Sequence, residues 1–371
     1  MKKGLVIIYD PHALMQFLQF YCMGDFEAEW DALCFPLENE REVMHEYCEK
    51  TAIFHRIYRG GIKFQNLSLI KKLGYFIQMF LFSILGKRKD YCKKIFNKYV
   101  DDVDKYDFFA ANSENGFISG MIASFGEEKT SIYFEDGVGD YIEKREKNHS
   151  CYKRWSFQDM QCVFMAKLGY FGKGYTYLEP TKYCYKYASN PQELAYKNYK
   201  EIRKFDLTNE ALNRFRNIIE RVYPELILLK NRSTDSTFVF TTPLDSNNSF
   251  SEEYKRRFIE YINQHAKEIY LKRHPSELTP LLFSEQVKVH HINNNIPAEV
   301  LFSYISNNSC YMMEPDSLLI NMGIYNISVI ILYFDSYEQE MKKTITTWHD
   351  RKKFETFCNR FMKNRYKFLE I

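Results

Sequence analysis

The chain lacks a marked excess of either charge: 51 Lys and Arg face 48 Asp and Glu, a net of +3 over 371 residues. Nucleic-acid binders carry a basic excess or a basic stripe, so that class is set aside. The nine cysteines (Cys22, Cys34, Cys48, Cys92, Cys151, Cys162, Cys184, Cys310 and Cys358) include no pair at the two-residue spacing of a zinc knuckle. An odd, scattered set in a chain this long argues against a disulfide framework and for buried thiols in a reducing compartment. Only 15 glycines occur, and none builds a Gly-rich dinucleotide fingerprint or phosphate loop. Apolar runs long enough to cross a bilayer are missing too. After the basic start Met1-Lys2-Lys3-Gly4, the run Leu5-Val6-Ile7-Ile8-Tyr9 is too short for a signal peptide and reads as a first buried strand.

Other residue classes are well supplied. The chain is 45% apolar, 27% charged and 17% aromatic, with 31 Phe and 29 Tyr against 3 Trp. That is ample apolar surface for a folded state, and the length exceeds what one core organises, so two domains are expected.

Strands and helices alternate along the first 140 residues. Gly4–Tyr9 reads as a strand, followed by Leu14, Phe17, Leu18 and Tyr21 at helical spacing. Asp31–Pro36 and Tyr106–Asn112 read as strands, Arg41–Thr51 as a helix, and Thr130–Phe134 as a further strand. Residues 141–200 show no clear period and read as an irregular connection. Beyond them, Ser236–Thr241, Glu268–Lys272, Gln286–His290 and Val329–Phe334 read as strands, with a helix over Glu252–Ala266 and a long charged helical pattern over 338–367. Such interleaving implies parallel, doubly wound sheets. Two domains follow, 1–155 and 156–371, with the last helix free to cross back. The segment Lys71–Lys89 is apolar with basic ends, too short and too interrupted by Gln78 and Ser83 to span a bilayer. A buried helix and an interfacial helix whose cations meet anionic lipid both stay open.

Chemistry concentrates where strands end, since ligands of open α/β sheets gather at carboxyl edges. Lys272-Arg273-His274-Pro275-Ser276-Glu277 follows a strand directly, and Pro275 fixes the backbone beside an imidazole able to protonate a leaving phosphate. Tyr133-Phe134-Glu135-Asp136-Gly137 places two acids on a turn, either suited to accept a hydroxyl proton. Ile296-Pro297-Ala298-Glu299 opens a helix whose acid suits the hydroxyls of a ribose. Pro315-Asp316-Ser317 ahead of Leu318-Leu319-Ile320 reads as a helix N-terminus able to hold phosphate. Asp10 and His12 after the first strand, and Asn112 after another, are candidate acceptor-side contacts. Asp102-Val103-Asp104 has the spacing of a metal-binding pair but precedes a strand, so it reads as a solvated helix end and no metal site is assigned.

In combination, an acid-acid-Gly turn, a His-Pro pair, a Pro-Ala-Glu and an Asp-Ser before Leu-Leu resemble the bacterial sialyltransferases. The lipooligosaccharide sialyltransferases of glycosyltransferase family 52 are similar in chain length and in the order of these motifs. The resemblance implies a GT-B fold, two Rossmann-like doubly wound domains facing a central cleft. It implies inverting, metal-independent transfer of sialic acid from CMP-sialic acid to a terminal galactose of a lipooligosaccharide or capsular glycan. Within it, His274 is the general acid, with Lys272 and Pro275 beside it. Glu299 holds the ribose, and Ser317 with the helix end holds the phosphate. Asp316 stands where the family has the first serine of a pair. The base is Asp136 (or its neighbour Glu135) or else Asp245, in the loop Thr242-Pro243-Leu244-Asp245-Ser246. Implied partners are a nucleotide sugar and a glycan or glycolipid acceptor, with no cofactor, at the cytoplasmic face of the inner membrane; the oligomeric state stays open, a homodimer being one candidate. Another GT-B transferase adding hexose or polysialic acid, and a non-catalytic glycan-binding protein, are the alternatives.

Overall fold

Leu5, Val6, Ile7 and Ile8 are all buried, which no surface strand allows; both faces are covered, as in a parallel sheet flanked by helices. In this computed structural model the described residues are 1–35, 41–60, 68–112, 129–135, 141, 184–194, 199–241, 249–274, 277, 281–305, 309–313, 321–322, 325, 327–333, 356, 359–360 and 365–371. The chain divides into two compact units, Met1–Val222 and Tyr223–Ile371.

Among the described residues the first unit is built on seven strands: β1 (Lys3–Ile8), β2 (Glu29–Cys34), β3 (Phe54–Arg59), β4 (Phe108–Ala111), β5 (Thr130–Phe134), β6 (Cys184–Ala188) and β7 (Glu201–Lys204). Their order is β3-β2-β1-β4-β5-β6-β7, and every pair is parallel. The helices among the described residues are α1 (Pro11–Met23), α2 (Arg41–Thr51), α3 (Leu69–Ile84), α4 (Arg88–Phe96) and α5 (Asn209–Val222). Asp10 starts α1: its carboxylate accepts the Ala13 N–H at 2.8 Å, and Pro11 occupies the first turn. Gly24 ends the helix in the left-handed region, φ 78°. Aromatic side chains fill the interior, with Phe17 stacked on Phe54 and edge-on to Trp30, centroids 5.5 and 5.0 Å apart.

The second unit repeats the arrangement, with six strands among the described residues: β8 (Thr237–Phe240), β9 (Glu268–Lys272), β10 (Lys288–His291), β11 (Ser309–Met312), β12 (Val329–Tyr333) and β13 (Tyr366–Glu370). The order β10-β9-β8-β11-β12-β13 is again wholly parallel. It carries α6 (Ser249–His265) and the short α7 (Ala298–Phe302). In each sheet the strand order reverses beside the first strand, between β1 and β4 and between β8 and β11. Those reversals are the switch points where open α/β sheets bind ligands.

Two expectations are corrected. The domain boundary does not fall near 155: β6 and β7 extend the first sheet beyond β5, so the first unit runs on to Val222. Their alternation was hidden because Tyr185, Lys186, Arg203 and Lys204 give them a polar, edge-strand composition. The charged helical pattern expected over 338–367 lies mostly outside the described residues, and its last two positions belong to β13, paired parallel to β12.

Gly4 faces Trp30 directly in the β1–β2 register, and a Cβ placed there would overlap the indole ring. Gly4→Ala should therefore cost about 1–3 kcal/mol, typical of overpacking a filled core. A clear fall in the urea midpoint is expected; an unchanged midpoint would show that the indole yields freely.

Candidate functional site

The carboxyl ends of β8 and β9 carry a polar cluster. β9 ends at Lys272, whose side chain is 4% exposed. Its ammonium donates to the carbonyls of Asn294 (3.0 Å) and Arg273 (3.3 Å). One cation thus stitches the end of β9 to the turn that precedes α7, a turn also held by the Asn293 side chain through the Asn295 N–H at 3.0 Å. This stitch sets the position of Glu299 in the first turn of α7. Burial pulls Lys272 down to about 8, and the Glu299 carboxylate works against that pull.

His274 lies two residues on, half-buried. Its N–H donates to the Thr241 hydroxyl oxygen at 3.3 Å, and its carbonyl accepts the Glu277 N–H at 3.0 Å. Desolvation first, and the neighbouring Lys272 charge second, hold the imidazolium below its ordinary range. Thr241 in turn donates to the Glu277 carboxylate, and its own N–H reaches the Lys272 carbonyl at 3.2 Å. Thr241 follows β8, directly at the switch point, so this web pins the histidine backbone to the place where the fold binds ligands. Three of the expected residues, Lys272, His274 and Glu299, are therefore brought into one neighbourhood. An anion entering it would find a fixed cation and a titratable imidazole beside an acid suited to hydroxyls. Asp245, Pro275, Asp316 and Ser317 lie outside the described residues.

Two members of this web carried no assignment from sequence. Glu277 is 7% exposed. Arg273 donates to its backbone carbonyl at 2.6 Å and places Nε 3.8 Å from its Oε2. Its Oε1 is buried and unpartnered among the described residues. Burial raises its pKa, partly offset by the Thr241 hydroxyl and by the charges of Arg273 and Lys255. Glu277 was visible in the sequence three positions after His274, and Thr241 at a strand end; no motif marks either.

In the first unit the other candidates gather at its own switch point. Asp10 follows β1 and is engaged as the α1 cap, and His12 lies in the first turn of α1. Asn112 follows β4 with a buried Oδ1 that has no partner among the described residues. Glu135 ends β5 and is 1% exposed. Its carboxylate accepts from the Tyr141 and Ser189 hydroxyls and from the Ser189 N–H at 2.9 Å. Its carbonyl accepts the Gln16 amide at 2.5 Å. A carboxylate so enclosed ties β5, β6 and α1 together, a structural role beside the one expected of it as a base. Asp136 lies outside the described residues.

The raised Glu277 pKa has a consequence for stability. Its folded pKa exceeds the unfolded one, so folding retains a proton that the unfolded chain releases, and stability declines as pH rises from the usual glutamate range through the raised value. Glu277→Gln should unfold at a higher temperature than the parent near pH 7, the gap closing toward about pH 4. A variant less stable at both pH values would show that the charge is needed by the fold.

No protein-family model matches the chain, and no curated protein matches it. Among solved structures, it is similar to a UDP-GlcNAc 2-epimerase from Methanocaldococcus jannaschii, TM-score 0.51 at 9% identity, covering 100% of this chain and 89% of that one. It is also similar to a calicheamicin glycosyltransferase, TM-score 0.50 at 7% identity, covering 100% of this chain and 86% of that one. With two wholly parallel sheets in Rossmann order, the fold is GT-B, two Rossmann-like domains.

Proposed function

We propose that the chain is a GT-B glycosyltransferase acting on a nucleotide-sugar donor, and that its donor is CMP-sialic acid. The observation that carries the reading is the Lys272–His274–Glu299 neighbourhood beside the β8–β11 switch point, with Lys272 coupled electrostatically to both other groups. The fold alone does not choose, since an epimerase and a transferase share it. On this reading Glu299 grips the cytidine ribose, while Lys272 supplies the field that draws the phosphate in. Ser317 and the backbone around it complete the phosphate contacts.

With no donor bound, His274 is held neutral at neutral pH by burial and by Lys272. An arriving phosphate dianion reverses that bias, so the imidazole gains its proton as the leaving group docks. The acceptor hydroxyl attacks the sugar from the face opposite CMP, its proton passing to Asp136 or Asp245. The bond to phosphate breaks through an oxocarbenium-like state, inverting the centre, and His274 delivers its proton to the departing phosphate. A monophosphate needs no metal once an imidazolium and a cation meet it. The acceptor is a terminal galactose of a lipooligosaccharide or capsular glycan, met at the cytoplasmic face of the inner membrane.

A second reading is a hexosyltransferase using a UDP-sugar. It is favoured by Asp316 at the position of a phosphate-binding serine, where a carboxylate repels a phosphate unless turned away. Incubation with CMP-sialic acid and a lactoside, without added divalent metal, should release CMP. His274→Ala should slow release by about 100- to 10,000-fold, the usual worth of a general acid. Consumption of UDP-sugars with CMP-sialic acid untouched would move the assignment to the second reading.

The pH profile separates the two cationic groups. As pH rises, kcat/KM for the donor should fall twice: first below the ordinary histidine range as His274 loses its proton, then near about 8 as Lys272 does. His274→Asn should erase the first fall, and Lys272→Arg should move the second to higher pH. A profile identical in all three proteins would remove both residues from the reaction.

A further inference from the structure

α3 (Leu69–Ile84) has two faces, and both are apolar. Its inner face packs Met79, fully buried, with Tyr75, Phe76 and Phe82 against the core below β1 and β4. Helical geometry places Ile70, Leu73, Ile77, Phe80, Leu81 and Ile84 together on the opposite side, and all six are exposed, Ile70 at 83% and Ile84 at 67%. An ordinary surface helix is polar on its outer face. Contiguous exposed apolar patches of this kind mark a surface that meets something. Leu85, 65% exposed, extends the patch past the helix end.

The charges around the patch say what that is. From Lys50 to Lys89 there is no Asp or Glu, while nine Lys and Arg occur. The rest of the chain is therefore net acidic, although the whole carries +3. Lys71 lies exposed in the first turn of α3, and Lys87 and Arg88 are exposed just beyond its last. Cations at both ends of an apolar face match an anionic surface with an apolar interior. At sixteen residues the helix is short for a bilayer, and among the described residues no helix is long and apolar enough to cross one.

We infer that α3 docks flat on an anionic lipid bilayer, its outer face sunk among the acyl chains and its terminal cations among the headgroups. A second copy of the chain would also want apolar cover, but it would bring the exposed Lys71, Lys87 and Arg88 against like charges of its own kind. The inference stands on α3 alone and does not depend on which sugar, if any, is transferred.

The test is flotation of the full chain with vesicles of phosphatidylcholine mixed with phosphatidylglycerol. The chain should float with the mixed vesicles at low salt, and far less with pure phosphatidylcholine. Ile77→Glu and Ile84→Glu together should reduce the bound fraction at least about tenfold, with a nearly unchanged thermal midpoint because both residues are more than half exposed. Lys87→Glu with Arg88→Glu should weaken binding while leaving the apolar face intact. The inference is overturned if the parent ignores mixed vesicles. It is equally overturned if the Ile variants bind as before, or if the parent is a dimer that the Ile substitutions split without affecting vesicles.

Discussion

One buried ammonium organises the second unit's site. Lys272 ends a strand in a place where a cation is costly, and it is kept there by two carbonyls and by the field of Glu299. The same charge depresses the neighbouring imidazole and fixes the turn that leads into α7. Removing it would free the turn, release Glu299 from its position and lift the smaller part of the depression at His274, leaving the part due to burial. Geometry and electrostatics thus share one origin, and an anion arriving at the strand ends is the event for which both are prepared.

The Thr241–Glu277–His274 web does a different job. It holds the backbone after β9 against the end of β8, so the imidazole is set from behind as Lys272 sets it from beside. Glu277 is enclosed and its Oε1 has no partner among the described residues. Such a group is a stability cost retained for position, in keeping with the exchange between stability and activity common at functional sites. The first unit contrasts with this: Glu135 there is bonded at both oxygens. A strand-end carboxylate can serve the fold or the chemistry, and exposure with partner count distinguishes the two.

Much of the fold was legible because buried parallel strands write themselves as short apolar runs. Leu5–Ile8, Phe108–Ala111, Thr130–Phe134 and Glu268–Lys272 are plain in the sequence, and Arg41–Thr51 appears with its observed bounds. Strands β3, β6 and β7 leave no apolar run in the sequence, since Arg56, Arg59, Lys186 and Arg203 break their apolar character at or near the sheet's edges. Helix α5 carries its signal in the spacing of Ala211, Phe215, Ile218, Ile219 and Val222, which form its buried face. In the site, Lys272, His274 and Glu299 were found from short motifs, whereas Thr241 and Glu277 were not. Their roles arise from hydrogen bonds between residues 36 apart, which no local pattern reveals.

The central claim is that the second unit's strand ends receive a nucleotide monophosphate between Lys272 and His274. Following the His274 imidazole resonances by NMR across pH, with and without CMP, tests it most directly. The account predicts a pKa below the usual histidine value in the free chain and a marked rise when CMP binds. A His274 titration that CMP leaves unmoved, at concentrations where CMP is demonstrably bound, would contradict it.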